Sequence, residues 1–228
     1  NWRDNPWFPE VLDKVRLEDE AKRPETYEHI WEGAFYSISD AQVFKDKFTV
    51  RDFVVDPAWH GPYHGLDFGY SQDPSAAVQA FVQDDSTGRF LHIRREAVKK
   101  KLELNDMPQF LATEIPQSAM HVMRADSARP ESISYLVNHG FPRVVSCLKG
   151  KGSVEDGISY LKGFDHIYIH TDCPETAREF RLLAYKVDRL SGDILPIILD
   201  AYNHCIDALR YALEPLIRHK RRPRIRAL

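Results

Sequence analysis

The sequence predicts an α/β fold in which three antiparallel strands, then parallel strands, form one mixed sheet flanked by helices. Two observations carry this. First, YHGLDFGY, AAVQAFVQD and FLHIRREAV are three short runs rich in apolar, β-branched and aromatic residues, parted by the turn signals SQDPS and DDSTG. Second, the chain beyond them alternates helix-period stretches with short apolar runs, the pattern of crossover connections between parallel strands.

The elements follow in order. Residues 1–58 read as a linker or packing arm, rich in Pro, Trp and charge, with one helical stretch, PEVLDKVRLEDEAKR, whose Val11, Leu12, Val15 and Leu17 stand near helical spacing. Residues 59–218 read as the main domain. After the three-strand meander, NDMPQFLATEIPQ predicts a helix with an Asn cap and Pro108 in its first turn, and AMHVMRADS a buried strand. PESISYLVNHG is a Pro-started, Gly-ended helix, PRVVSC a strand, VEDGISYLKGF a helix and HIYIHT a strand. CPETAREFRLLAYK and LDAYNHCIDALRYALEPLI are expected to close the domain as two amphipathic helices, and residues 219–228 form a basic tail.

Composition narrows the function classes. The 228 residues are 43% hydrophobic and 29% charged, as in ordinary globular proteins, and no apolar run approaches the roughly 20 residues that span a bilayer, so no membrane role is expected. The opening NWRDNPWFPEV lacks the basic and apolar regions of a secretory signal, and beginning at Asn1 it suggests a piece of a longer protein. Cys147, Cys173 and Cys205 form no C-x-x-C pair, and their odd count points to a reducing cytoplasm. The formal charge of −3 allows a nucleic-acid partner without indicating one.

Reactive side chains gather at loops and strand ends on the C-terminal edge of such a sheet. Asp67 ends the first strand of the meander, where Gly65 and Gly69 are expected to let the backbone approach a ligand, and Asp126 ends the strand AMHVMRAD. In the last helix Asp200, His204 and Asp207 fall at i, i+4 and i+7 and so share a stripe. Carboxylates brought to one point repel one another, and hard divalent cations with oxygen ligands stabilise such a set. Two such ions about 4 Å apart promote in-line displacement at phosphorus, so the constellation suggests phosphodiester hydrolysis.

Each residue also has a plainer reading. Asp126 can cap the helix opening at Pro130, Asp73 in SQDP suits a turn former, and His204 can serve as a structural hydrogen-bonding group instead of a ligand or base. Lys149 and Lys151 alternate with Gly150 and Gly152 in a basic loop suited to phosphate contact or simply to solvent, with Ser153 as a cap for the next helix. Arg124 and Arg129 flank Asp126 and suit either a DNA strand or an ion pair with a neighbouring acid.

Together GLDFGYSQDPSA, MRADSARPESI, LKGKGSVEDGISYL and NHCIDALRYAL, from about Tyr63 to Leu216, resemble the nuclease domain of phage terminase large subunits, within the ribonuclease H-like superfamily. DNPWFPE and PETYEHIWEGAF resemble the segment that joins this nuclease to the packaging ATPase, while no G-x-x-x-x-G-K-[ST] of the ATP motor occurs. The resemblance implies that Asp67, Asp126 and Asp207 bind Mg²⁺ or Mn²⁺ with His204 beside them, and that Asn203 stands where the family commonly has an acid. It also implies cutting of concatemeric double-stranded DNA during genome packaging, with the ATPase domain, portal protein and small terminase subunit as partners, in the cytoplasm of an infected bacterium. A non-catalytic DNA-docking module and another ribonuclease H-like nuclease, such as a resolvase, are the alternatives. The D-x-G at Asp67, Phe68 and Gly69 also resembles the phosphate loop of actin-like ATPases, but that fold requires a second lobe and a second glycine-rich loop, which the sequence lacks.

Overall fold

The computed structural model describes residues 7–22, 39–71, 73–188 and 193–221; all of PETYEHIWEGAF, the end of the basic tail and Gln72 of the SQDP turn lie outside them. The described residues fall into two compact units, 1–42 with 184–198, and 43–183 with 199–228.

The larger unit is built on a seven-stranded mixed sheet. Its strands are β1 (Phe48–Val50), β2 (His60–Asp67), β3 (Ser75–Asp85), β4 (Gly88–Lys99), β5 (Met123–Ala125), β6 (Val144–Ser146) and β7 (His166–Ile169), in the order β1-β7-β4-β3-β2-β5-β6. β2, β3 and β4 form the expected antiparallel meander, and β5 and β6 extend it in parallel from β2 while β7 and β1 extend it in parallel from β4. β1 lies in the stretch read from sequence as arm; its three residues are too few to show a period, and its pairing with β7 across more than a hundred residues is what makes it a strand.

Helices α2 (Met107–Glu114), α3 (Pro130–Asn138), α4 (Ser153–Lys162), α5 (Pro174–Leu182), α6 (His204–Ala212) and α7 (Glu214–Arg221) cover the sheet. One core layer joins Leu66, Ala77, Met123 and Ala125 of the sheet to Met107 and Leu111 of α2 and Leu136 of α3. α6 packs on β2 and β3. Two capping expectations and one helix length are corrected. Asp106, not Asn105, flanks α2, without a side-chain cap bond; Gly152, at φ +78°, takes the cap position of α4 in place of Ser153, which is the first residue of the helix, because the left-handed backbone there favours glycine. The stretch CPETAREFRLLAYK is helical only to Leu182.

In the smaller unit, α1 (Glu10–Lys22) confirms the helical stretch, and its Val11, Leu12, Val15 and Leu17 are exposed. A hairpin of β8 (Tyr185–Val187) and β9 (Ile194–Ile198), with a bridge between Gln42 and Ala184, completes it. Among the described residues no helix is long and apolar enough to cross a membrane, and all three cysteines are free and buried.

Candidate active site

The site is a consequence of strand register. Leu66 pairs with Ala125 in the parallel β2–β5 ladder, and the ladder runs on as the Asp126 amide donates to the Leu66 carbonyl at 3.0 Å. Side chains alternate across a sheet and paired residues share a face. Leu66 and Ala125 both point into the core layer under α2 and α3, so the next pair, Asp67 and Asp126, emerges together on the opposite face.

That face is covered by α6, and Gly65 sets how closely. A Cβ on Gly65 would lie 1.7 Å from the Ala208 carbonyl oxygen, so the missing side chain is what lets the helix backbone rest on β2. The sequence reading of Gly65 as a point of ligand approach is therefore corrected, and Gly69 likewise faces the carbonyls of Asp73 and Pro74 at 2.4 and 2.3 Å from the position a Cβ would take. Of the nine residues of α6, seven are buried; His204 and Asp207, one turn apart, are the two that are not. Asp207 thereby joins Asp67 and Asp126. Asp200 does not: α6 begins at His204, and Asp200 is an exposed residue before it whose Oδ1 accepts from Asn203 Nδ2 at 3.0 Å. The expected three-residue stripe is thus shortened to His204 and Asp207.

Each acid has a basic neighbour. His204 Nδ1 stands 3.1 Å from Asp67 Oδ2, Lys149 Nζ 2.5 Å from Asp126 Oδ1, and Arg210 Nη1 2.5 Å from Asp207 Oδ1. Burial raises the Asp67 carboxyl above its ordinary range, opposed by the His204 hydrogen bond and assisted by the charge of Asp126. Burial likewise raises Asp207, opposed by Arg210 and assisted by Asp67. His204 is raised chiefly by its hydrogen bond to Asp67. The Tyr211 hydroxyl is raised by burial first and then by the charges of Asp207, Asp67 and Asp126, so it lies in the field of all three acids. Among the described residues no group of three or more His, Cys, Asp or Glu side chains is gathered to hold a metal ion, and the three carboxylates lie instead each beside a basic side chain.

The basic residues separate into two groups. Lys149 and Lys151 line a cavity of about 250 Å³ together with Arg210, Tyr211 and Glu214. Arg124 Nε lies 3.9 Å from Glu214 Oε2, an ion pair with a different acid from the three above, and Arg129 is exposed at the start of α3. Asp126 does not cap α3: its Oδ1 accepts from the Ala128 amide at 2.8 Å in a local turn.

Three residues escaped the sequence reading. Arg210 was visible in principle, since it stands three residues beyond Asp207 on the same helical face. Asp73 looked like a turn residue, yet its Oδ1 lies 3.4 Å from His204 Nε2. Glu179 of α5 gave no local sign: buried, and pushed up to about 7 by that burial, it accepts hydrogen bonds at Oε2 from the Cys205 and Ile206 amides at 2.8 and 3.1 Å. It also lines, with Asp73, His204 and the cations Lys99, Lys100 and Arg178, a second cavity of about 590 Å³.

Antiparallel meander, parallel extension and acids at the ends of β2 and β5 and on a covering helix define a ribonuclease H-like domain. Residues 67–215 match the family described as Terminase RNAseH like domain, and the chain belongs to that family. It is 40% identical over 213 residues to the terminase large subunit of Bacillus phage SPP1, covering 91% of this chain and 48% of that protein. To the PBSX phage terminase large subunit of Bacillus subtilis (strain 168) it is 28% identical over 154 residues, 66% of this chain and 33% of that one. The chain thus spans about half the length of the first relative and a third of the second. Among solved structures, the nuclease domain of the SPP1 large terminase g2p, with bound Mn, superposes with a TM-score of 0.65 at 32% identity, over 75% of this chain and 97% of that one. The P22 large terminase nuclease domain, at 17% identity, shares the fold with a TM-score of 0.59, over 79% of this chain and 97% of that one.

Proposed function

We propose that this chain is a metal-dependent endodeoxyribonuclease that cuts concatemeric double-stranded viral DNA when genome packaging begins and ends. The observation that supports the reading is that Asp67 and Asp126 follow the paired Leu66 and Ala125 onto the face of the sheet that α6 covers with Asp207, in a domain of the terminase family. Three carboxylates on two adjacent strand ends and a buried helix repel one another, and oxygen donors of this kind suit a hard divalent cation such as Mg²⁺ or Mn²⁺. The bound Mn of the SPP1 domain, at 32% identity, supports this choice. One or two bound ions would supply Lewis acidity at the phosphate and a water acidic enough to act as nucleophile, with hydrolysis leaving a 5′ phosphate.

The chain's own residues do the rest. Asp67, Asp126 and Asp207 would hold the metal, their backbones carried by the β2–β5 ladder and α6, with each carboxylate turning from its basic neighbour to the ion. His204 is anchored by Asp67 at Nδ1, and its Nε2, which faces Asp73 in this structure, would donate to a phosphate oxygen once the exposed Asp73 turns away. Lys149 and Lys151 contact the DNA backbone from their loop, with Arg124 and Arg129 at the flank, so sequence preference is slight and binding weakens with salt. In the longer protein, residues 1–58 would act as the arm from an upstream ATPase domain, 59–218 as the nuclease and 219–228 as a basic tail. Portal protein and small terminase subunit would then direct the cut, in the cytoplasm of the infected bacterium.

The test is cleavage of supercoiled plasmid with Mn²⁺, Mg²⁺ or EDTA, beside Asp126→Ala and Asp67→Asn. Nicking and linearisation that require metal and disappear in both folded variants are expected. Full Mn²⁺-dependent cleavage by Asp67→Asn would sink the assignment.

A further inference from the structure

The start of α6 is held in an unusual way. The first amides of a helix have no partner within it, and a side chain at the N-cap ordinarily supplies one. Asn203 occupies that position without a side-chain cap bond. The partner comes instead from another helix: Glu179 Oε2 takes the amides of both Cys205 and Ile206. Glu179 is 6% exposed, and a carboxylate so deeply buried is costly unless its charge is met by donors. The positive end of the α6 dipole and two N–H groups meet it.

The same device recurs one step earlier. Glu96, on the interior strand β4, accepts from the Glu175 amide at 2.9 Å and from the Thr176 amide and hydroxyl at 2.7 Å each, which fixes the first turn of α5. A carboxylate on the sheet thus anchors α5, and a carboxylate on α5 anchors α6. The two residues of α6 that are not buried, His204 and Asp207, lie on either side of the amides that Glu179 holds.

We propose that Glu179 is a positioning residue for the nuclease: without touching DNA or metal, it fixes the first turn of α6, and through it the places of His204 and Asp207, with Glu96 anchoring Glu179's own helix. The inference rests on the nuclease reading above and adds a residue that acts at a distance from the reacting atoms. A misplacement of about 1 Å in a reacting group can cost on the order of a hundredfold in rate. A capping loss that lets the first turn of α6 fray should therefore lower kcat and leave the DNA-contacting loop, and so KM, nearly unchanged.

The experiment uses the whole chain with Glu179→Gln and Glu179→Ala, read in three ways. In plasmid nicking with Mn²⁺, kcat should fall about tenfold in Glu179→Gln and further in Glu179→Ala, with KM for DNA within about twofold of the parent, the conservative change keeping part of the function. Calorimetric titration should show weaker Mn²⁺ binding in the same order. Hydrogen exchange in the parent should be slow at the Cys205 and Ile206 amides, although helix-start amides normally exchange fast, and should become fast in Glu179→Ala. A folded Glu179→Gln with kcat and Mn²⁺ affinity within twofold of the parent overturns the proposal. If the variants do not fold, exchange in the parent decides: fast exchange at both amides overturns it and slow exchange supports it. If the parent itself neither cleaves DNA nor binds Mn²⁺, the nuclease reading falls, and the same two amides still report whether Glu179 holds α6.

Discussion

Replacing Gly65 by alanine adds one methyl group at the contact between β2 and α6. That methyl would sit 1.7 Å from the Ala208 carbonyl oxygen, 2.7 Å from its carbon and 2.8 Å from the Ala212 amide nitrogen, all backbone atoms that no rotamer change can move. Ordinary contact begins at 3.4 Å, so α6 must retreat from β2 by about 1.7 Å, or the strand must bend by as much. Overpacking of this kind costs about 1–3 kcal/mol, which a domain of this size can survive. Asp207 is the residue before Ala208 and moves with it, while Asp67, two residues from Gly65, stays with the strand. The separation of the two carboxylates therefore changes by more than 1 Å, and a loss of about a hundredfold in cleavage rate is expected. Urea denaturation measures the first quantity and Mn²⁺-dependent plasmid nicking, well below the unfolding midpoint, the second. Gly150→Ala is the control, since its methyl would enter open space and should change stability by less than about 0.5 kcal/mol. A folded Gly65→Ala that nicks DNA within about threefold of the parent would refute the argument that this glycine sets the geometry of the site.

Three further outcomes are expected. Lys149→Ala removes an ion pair to Asp126 whose lysine is 39% exposed, so stability should change by less than about 1 kcal/mol, while plasmid affinity falls and its logarithmic salt slope flattens by about one unit in filter binding. His64 is buried in β2, and burial, then the neighbouring His121, lowers it to about 4. Its folded value lies below the unfolded one, so its contribution is present above about pH 6.5 and is lost as pH falls toward 4. Up to about 3 kcal/mol should disappear over that window in urea titrations, and His64→Gln should reduce the loss; a parent chain equally stable at pH 7 and pH 4.5 would contradict this. Leu111→Ala empties part of the core layer on the side of the sheet away from the acids, and should cost about 2–5 kcal/mol in urea denaturation with kcat nearly unchanged at temperatures where the variant stays folded.

The sequence by itself determined the antiparallel meander and the alternation of helices with strands from α2 to α5, and singled out Asp67, Asp126 and Asp207 as the acids of interest. These are legible because they rest on local signals: alternation along β2, β3 and β4, the turns between them, Asp67 and Asp126 at the ends of apolar runs, and the helical spacing of His204 and Asp207. Only the tertiary structure decided how those acids meet. The shared face of Asp67 and Asp126 follows from the pairing of Leu66 with Ala125, a contact across 59 positions that neither segment announces. The role of Gly65 depends on a helix some 140 residues away, and so looked like ligand approach until α6 was seen lying on it. Asp200 was misplaced because a period of 3.6 can be read upstream of His204, where the backbone does not continue the helix. β1 and the β8–β9 hairpin are too short to show a period, and exist through pairing alone. Glu179 looked like an ordinary charged residue of an amphipathic helix, and only the packing of α6 against α5 turns it into the acceptor for amides 26 and 27 positions distant. Local propensity acts within a few residues and leaves a pattern in the sequence, whereas register, close approach and capping between elements are fixed by which surfaces meet.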